Sequence, residues 1–335
     1  MQQALVSIII PFKNTASFLE ECLNSIQKQS YDNWEVLAVN DHSTDKSYAV
    51  VHTYSLKDSR IKVLQNKGFG IIEALRTGYA ESTGNFITRM DSDDIMTPKK
   101  LAIMVSSLLE HGIKHLAIGQ VNYFSKDGIG NGYKKYANWL NELTAKGRNY
   151  SEIYKECVIP SPCWMLFRED FDACLGFEPN RYPEDYDLAF RFYKNKFQCI
   201  PCSTILHHWR DYSSRASRTS EHYAQNYFLD IKLHYFLSLE WKPNRPLVIW
   251  GAGNKGKTIA KKLIEKDTDF YWLCDNDKKI GKSIYDKQML HFNHLKKLQK
   301  PQIIITVANE EDQKSIKNYL YTLDLENMND YFFFC

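Results

Sequence analysis

Short apolar runs alternate with amphipathic stretches from the start of the chain. "LVSIIIPF" (5–12), "NWEVLAVND" (33–41), "IKVLQN" (61–66) and "NFITRMDSDD" (85–94) read as strands. Between them, "ASFLEECLNSIQKQ" (16–29), a stretch from Ser43 to Leu56, and "IIEALRTGYAEST" (71–83) carry apolar residues at helical spacing. Strand and helix in regular succession predict βαβ units and a parallel, doubly wound α/β sheet. These strands are mostly apolar on both faces, as a sheet covered by helices requires. Each ends in polar or turn-forming residues: Pro11 to Asn14, Asn40 and Asp41, Asn66 to Gly68, Asp91 to Asp94. Those ends gather at the carboxyl edge, where open α/β sheets bind their ligands.

From Leu101 to Leu239 the pattern is less regular and rich in aromatics. It contains a helix-like "PEDYDLAFRFYKNK" (183–196) and an arginine-rich "HHWRDYSSRASRTS" (207–220). "SLEWKPNRP" (238–246) has the prolines and charge of a linker. Beyond it, "LVIWGAGNKGKTIAKKLIEK" (247–266) reads as strand, glycine turn and helix. Gly251, Gly253 and Gly256 fit the fingerprint G-x-G-x-x-G, and Asp275 in "FYWLCDND" stands at the distance that suits a ribose. "QIIITVA" and "DYFFFC" are two further strands bracketing a helix. The expected organisation is a first domain over 1–240, a linker over 241–246, and a small Rossmann-like domain over 247–335.

Composition narrows the functional classes. At 335 residues the chain exceeds what one core usually supports. Its 43 basic and 40 acidic residues leave a charge of only +3, which argues against a dedicated nucleic-acid binder. No apolar run approaches the roughly 20 residues needed to span a bilayer, and the N-terminus has neither a basic leader nor a cleavage site. Eight scattered cysteines form no disulfide framework, so a cytoplasmic protein is expected. Cys199 and Cys202 have no second pair at zinc-finger spacing and read as two thiols at a strand end.

The densest charge is "DSDD". Alone, it suits a solvated turn or a helix cap as well as a site, and Asp94 is read as the cap of the helix after Pro98. As a site, the clustered carboxylates would be relieved by a hard divalent cation that bridges to phosphate oxygens. The acids of "YPEDYDL" cannot share one helical face, so Glu184, Asp185 and Asp187 are expected to do different work; alone, they fit a helix dipole equally well.

Taken together, "SIIIPFKN", "VNDHSTDKS", "NKGFGIIEALRTGYAESTGNFITRMDSDD" and "YPEDYDL", in this order, resemble the family-2 glycosyltransferases of the GT-A fold. The resemblance covers about the first 220 to 240 residues. It implies a hexosyltransferase-type enzyme that moves a sugar from a nucleotide sugar, here a UDP-sugar, to a hydroxyl acceptor with inversion. The acceptor would be a glycan or lipid-linked, in surface polysaccharide, glycan or glycolipid synthesis, and the cofactor Mn²⁺ or Mg²⁺. Pro11, Phe12 and Asn14 then resemble the first nucleotide-contacting turn, with Gly68 in the third motif, and Asp41 resembles the reader of uracil or ribose. Asp91 and Asp93 resemble the D-x-D pair, Asp93 on the metal and Asp91 on the ribose or the metal's water shell, with Arg89 neutralising the cluster. Asp185 takes the place of the catalytic base beside Glu184.

"HHWRDYSSRASRTS" departs from the commoner family ending and resembles a subgroup with W-R-D and R-x-S-R. Arg210 and Arg215 would give charge-assisted bonds to diphosphate oxygens, or else form a solvated basic face. Whether His207 or His208 completes the metal site stays open. The chain lacks Q-x-x-R-W and a membrane span, so single addition is expected rather than processive synthesis, with at most peripheral membrane association at the inner face. Two other readings rest on "GAGNKG": an NAD(P)-dependent oxidoreductase, or a nucleotide-binding assembly module through which the chain oligomerises.

Overall fold

The computed structural model describes residues 4–219 and 227–335, which form two compact units: 4–149 with 158–219, and 150–157 with 227–335. In the first unit the chain runs β1 (Val6–Phe12), α1 (Ala16–Gln27), β2 (Trp34–Asn40), α2 (Ser47–Lys57), β3 (Ile61–Gln65), α3 (Ile71–Ala80) and β4 (Phe86–Arg89). It continues through β5 (Ile95–Met96), α4 (Lys100–His111), β6 (His115–Ile118), β7 (Gln120–Phe124), α5 (Asn131–Lys146), β8 (Trp164–Phe167) and α6 (Arg168–Ala173). It closes with α7 (Glu184–Lys194), β9 (Gln198–Ile200), β10 (Ile205–Arg210) and α8 (Ala216–Thr219).

Seven strands form one sheet in the order β3-β2-β1-β4-β8-β6-β9, parallel except where β8 meets β4 and β6. The chain reverses direction across the sheet between β1 and β4, so a crevice opens at their carboxyl ends. A second sheet, β5-β10-β7, follows from the D-x-D segment: β5 pairs antiparallel with β10, which pairs parallel with β7. Val6, Ile8, Ile10 and Phe12 share one face of β1 and enter the core with Leu19, Leu23 and Ile26 of α1. Phe12, expected at the nucleotide, therefore turns its ring into the core; strand alternation leaves it no other face.

In the second unit, α9 (Tyr227–Tyr235) precedes β11 (Leu247–Trp250), α10 (Asn254–Glu265), β12 (Tyr271–Cys274), β13 (Ser283–Ile284), β14 (Lys287–His291), β15 (Gln302–Ile305), α11 (Glu310–Tyr321) and β16 (Tyr331–Phe333). The strand order is β13-β14-β12-β11-β15-β16, parallel apart from the β13–β14 hairpin. Tyr154 explains why residues 150–157 cluster here: it is buried against Phe236, Phe332 and Phe334. Segment 241–246 is pinned to this unit as well. The Lys242 N–H donates to Gln302 Oε1 at 2.7 Å, and the Arg245 guanidinium donates to the carbonyls of Lys300, Pro301 and Asn329. Among the described residues, no helix is long and apolar enough to cross a membrane. None of the eight cysteines is in a disulfide.

Candidate active site

The carboxyl ends of β1, β2 and β3 are knitted together by side chains. Asn14, in the left-handed region at φ 53°, accepts the Thr44 N–H on Oδ1 at 2.8 Å and so ties the turn after β1 to the turn after β2. Pro11 pairs with Val39 inside the sheet. Asp41, nearly buried, accepts Asn66 Nδ2 at 2.7 Å and the Gly70 N–H at 3.0 Å on one oxygen, and Lys13 Nζ at 3.3 Å on the other. It thus organises the loop before α3, with Lys13 half-exposed at its outer oxygen. The Gly68 carbonyl faces His42 Nε2 at 2.8 Å in the same loop.

At the end of β4, Arg89 is buried between two acids. It donates to Asp91 Oδ1 at 3.0 Å and to Glu184 Oε1 at 3.0 Å. One guanidinium therefore joins the D-x-D turn to the first residue of α7, 95 positions along the chain. Asp93 is buried and its Oδ2 accepts the Tyr212 hydroxyl at 2.9 Å. Burial, then the charge of Asp91, raise the Asp93 carboxyl, while Arg215 and the Tyr212 hydroxyl pull it down.

Asp94 is not a helix cap. The first turn of α4 has no side-chain cap, because the chain makes β5 before the helix starts. The Asp94 carboxylate is instead fully buried, accepting the Arg210 N–H at 2.7 Å and facing His207 Nε2 at 2.9 Å.

The three acids of α7 do separate work. Asp187 pairs with Arg191 at 2.8 Å, one helical turn on, and with Arg181 at 3.8 Å. Glu184 is committed to Arg89 through Oε1, while its buried Oε2 has no hydrogen-bond partner among the described residues. Asp185 makes no ion pair among the described residues, and its Oδ1 accepts the adjacent Tyr186 N–H at 2.8 Å. Burial first, and then the neighbouring charge of Glu184, push it up to about 7. A carboxyl titrating there suits a proton acceptor at neutral pH.

The end of β10 and the segment after it supply the cations. Arg210 donates from Nε to the Asp93 carbonyl at 2.6 Å and from Nη2 to Glu21, with its guanidinium over Phe18 and Phe124. Arg215, buried over the Trp209 ring, is raised by the charges of Asp94, Asp93 and Asp91 against a desolvation penalty that is its largest single influence. Arg218 is bound bidentately by Asp211 at 2.8 and 2.7 Å. Among the described residues no three His, Cys, Asp or Glu side chains converge as ready metal ligands. Successive residues of a strand face opposite ways, so with His207 on Asp94, His208 lies edge-on to Phe124. The donor set that remains, Asp91 and Asp93, fits a hard cation of the Mg²⁺ or Mn²⁺ kind, which takes one or two carboxylates and completes its shell with water and phosphate. Arg89 and Tyr212 each engage one carboxylate oxygen, so each acid keeps one oxygen without a partner from another of the described residues.

In the second unit, Gly251 has φ 126°, and a Cβ on Gly256 would stand 2.1 Å from the Gly251 carbonyl oxygen. Only glycine allows α10 to start this close to β11. Gly253 has open space where a side chain would be, Lys279 Nζ donates to the Ala252 carbonyl at 2.7 Å, and Asp275 is exposed just after β12.

The sequence profile described as Glycosyl transferase family 2 matches residues 7–175. The chain belongs to this family. Glycosyltransferase GlyG of Streptococcus pneumoniae serotype 4 is 34% identical over 223 residues, covering 64% of this chain and 73% of that protein. UDP-Glc:alpha-D-GlcNAc-diphosphoundecaprenol beta-1,3-glucosyltransferase WfgD of Escherichia coli is 30% identical over 213 residues, covering 63% of this chain and 78% of that protein. Among solved structures, S. aureus TarS 1–349 in complex with UDP-GlcNAc superposes with a TM-score of 0.54 at 18% identity, over 71% of this chain and 68% of that one. Mannosyltransferase PcManGT of Pyrobaculum calidifontis, in complex with GDP-Man and Mn²⁺, gives 0.51 at 19% identity, over 70% and 63%. The fold is that of the GT-A glycosyltransferases.

Three residues of this family-2 glycosyltransferase were missed in the sequence. Tyr212 and Glu21 carry no motif that marks them. Lys100 does carry a signal: it shares the buried face of α4 with Leu101, Met104, Val105 and Leu108, where a lysine is out of place unless it is paired.

Proposed function

We propose that this glycosyltransferase moves a sugar from a UDP-sugar to a hydroxyl acceptor of a glycan or lipid-linked substrate in surface polysaccharide, glycan or glycolipid synthesis, with inversion. The observation that carries the reading is Arg89, which holds Asp91 on one side and Glu184 on the other. It couples the D-x-D turn to the start of α7, so the carboxylates for a metal diphosphate and the candidate base beside Glu184 belong to one site. The UDP-Glc in the name of WfgD and the UDP-GlcNAc complex of TarS support a uridine donor, and the Mn²⁺ complex of PcManGT supports the metal.

In this mechanism Asp93 and Asp91 would hold Mn²⁺ or Mg²⁺, and the ion would supply charge neutralisation for the leaving diphosphate. Asp185 takes the proton of the acceptor hydroxyl as the new bond forms at the anomeric carbon. Arg215 adds fixed positive charge beside the aspartates, and Asp41 with the loop at Gly68 receives the nucleoside. UDP binding measured by calorimetry is expected to need Mn²⁺, and Asp93→Ala to abolish that dependence. Equal affinity with Mn²⁺ and with EDTA in the unaltered protein would sink the metal assignment.

For the second unit, the open space at Gly253 and the exposed Asp275 favour a further nucleotide contact at Gly251, Gly253 and Gly256. NADH is expected to quench intrinsic fluorescence or to raise the melting temperature. A chain indifferent to both NADH and UDP at this turn leaves the unit an assembly module.

A further inference from the structure

Beneath the D-x-D turn lies a chain of polar side chains that the mechanism above does not use. Asp94, Lys100 and His207 each expose none of their surface, and they come from the turn after β4, the start of α4 and the middle of β10. Asp94 Oδ2 lies 2.9 Å from His207 Nε2, His207 Nδ1 lies 3.2 Å from Lys100 Nζ, and Lys100 Nζ also donates to the Pro162 carbonyl at 2.6 Å. A lysine ammonium has donors and no acceptor, so the nitrogen facing it must accept. The ring proton is thereby assigned to Nε2, where it points at Asp94. Burial, and then the cations of Lys100, His208 and Arg215, hold His207 well below its ordinary value, which keeps the ring neutral.

The outer end of this chain reaches Asp93 by a short path. The second oxygen of Asp94 accepts the Arg210 N–H at 2.7 Å, which locks the end of β10 onto the turn. From there the Arg210 Nε donates to the Asp93 carbonyl at 2.6 Å, and the Tyr212 hydroxyl, two residues on, donates to Asp93 Oδ2 at 2.9 Å. Asp93 is thus held at its backbone and at its carboxylate by a segment whose placement depends on Asp94. Burial first, and then the charges of Asp93 and Asp91, raise the Asp94 carboxyl well above its ordinary value, against Arg215 and the Arg210 N–H; whatever its charge, its two oxygens are fixed by the Arg210 N–H and His207.

We propose that Lys100, His207 and Asp94 form a buried clamp that positions Asp93 for the metal diphosphate, with His207 the positioning residue whose tautomer Lys100 selects. The inference rests on the reading of Asp93 as a metal ligand. Losing the clamp costs metal-dependent affinity rather than the nucleotide pocket itself, because Asp41 and its loop share no bond with it.

The test is the ratio of UDP affinity with Mn²⁺ to that with EDTA, measured by calorimetry on the full chain, alongside melting temperatures. A glutamine amide can reach the place of Nε2 and donate to Asp94, whereas an asparagine amide reaches only the place of Nδ1. His207→Asn is expected to lower the ratio about tenfold or more, the loss typical when a partner behind a ligand is removed, with EDTA affinity within about twofold of the unaltered protein. His207→Gln is expected to recover most of it. Lys100→Met is an independent arm: it takes away the donor that holds Nδ1 and the tie to the Pro162 carbonyl, so the ring loses its anchor behind Asp94 and the ratio should fall here too. Equal ratios in the Asn and Gln variants, or an unchanged ratio in Lys100→Met, would overturn the clamp. A ratio near one in the unaltered protein removes the metal assignment itself, and the clamp with it, so the two failures are told apart.

Discussion

Asp185→Asn is expected to lose transfer while keeping donor binding. An acceptor hydroxyl is a poor nucleophile at neutral pH, and a positioned base contributes about 10²- to 10⁴-fold in rate. The amide has nearly the shape of the carboxylate but cannot take a proton. UDP affinity in Mn²⁺ should therefore stay within about twofold, while kcat falls by that factor. Glu184→Gln should harm transfer less, since Glu184 is engaged with Arg89 rather than with the acceptor. The pH profile gives a second, independent reading. With Asp185 pushed up to about 7, the base is protonated at lower pH, and activity should fall as pH drops through that value.

Stability should move in the opposite direction. A carboxyl whose folded pKa lies above its unfolded value binds its proton more tightly when folded. It therefore stabilises the fold below the unfolded value, and that contribution is lost as pH rises towards 7. Asp185→Asn removes this loss, so the variant should melt above the unaltered protein at pH 8, with the gain shrinking towards pH 4. Near-normal turnover in Asp185→Asn, or a product with retained anomeric configuration, would move the base to another residue.

The alternation of strands and helices along β1 to β4 was legible because it is local: apolar periods and turn residues report on neighbours in sequence. Asp91, Asp93 and the acids of α7 were legible as chemistry for the same reason, each being a short cluster at the end of an element. What escaped were the partners. Arg89 reads as a neutralising charge for the cluster beside it, and only the fold brings Glu184 to its other side. Asp94 reads as a cap because a helix follows; its actual partner, His207, stands 113 residues away on a strand whose register cannot be read from sequence. The same register decides between His207 and His208, since a shift of one residue would exchange them. Phe12 was misplaced for a related reason. β1 runs on through Phe12, so the turn begins at Lys13, two residues after Pro11, and strand alternation gives the Phe12 ring to the core.

Arg89→Met should be the most destabilising of the substitutions considered. Arg89 and Glu184 are both nearly buried, and Arg89 also faces Asp91. Removing one member of a buried ion pair leaves the other charge without its counterion, at a cost of about 3–5 kcal/mol. Here the cost falls on an acid whose second oxygen already lacks a hydrogen-bond partner among the described residues. Methionine fills much of the arginine stem's volume, so the lost charge rather than a cavity dominates. Glu184→Gln alone should cost less, because the amide oxygen can still accept from Arg89. The double variant, Arg89→Met with Glu184→Gln, should be more stable than Arg89→Met, since no buried carboxylate is then left unpaired at that position. Denaturant unfolding would be followed at the transition that UDP with Mn²⁺ shifts, because only the unit that binds the ligand responds to it. If the double variant is no more stable than Arg89→Met, Glu184 is not the charge that Arg89 supports. The D-x-D turn would then lose the ion pair that ties it to the start of α7, and Arg89 would no longer hold Asp185 beside the metal diphosphate.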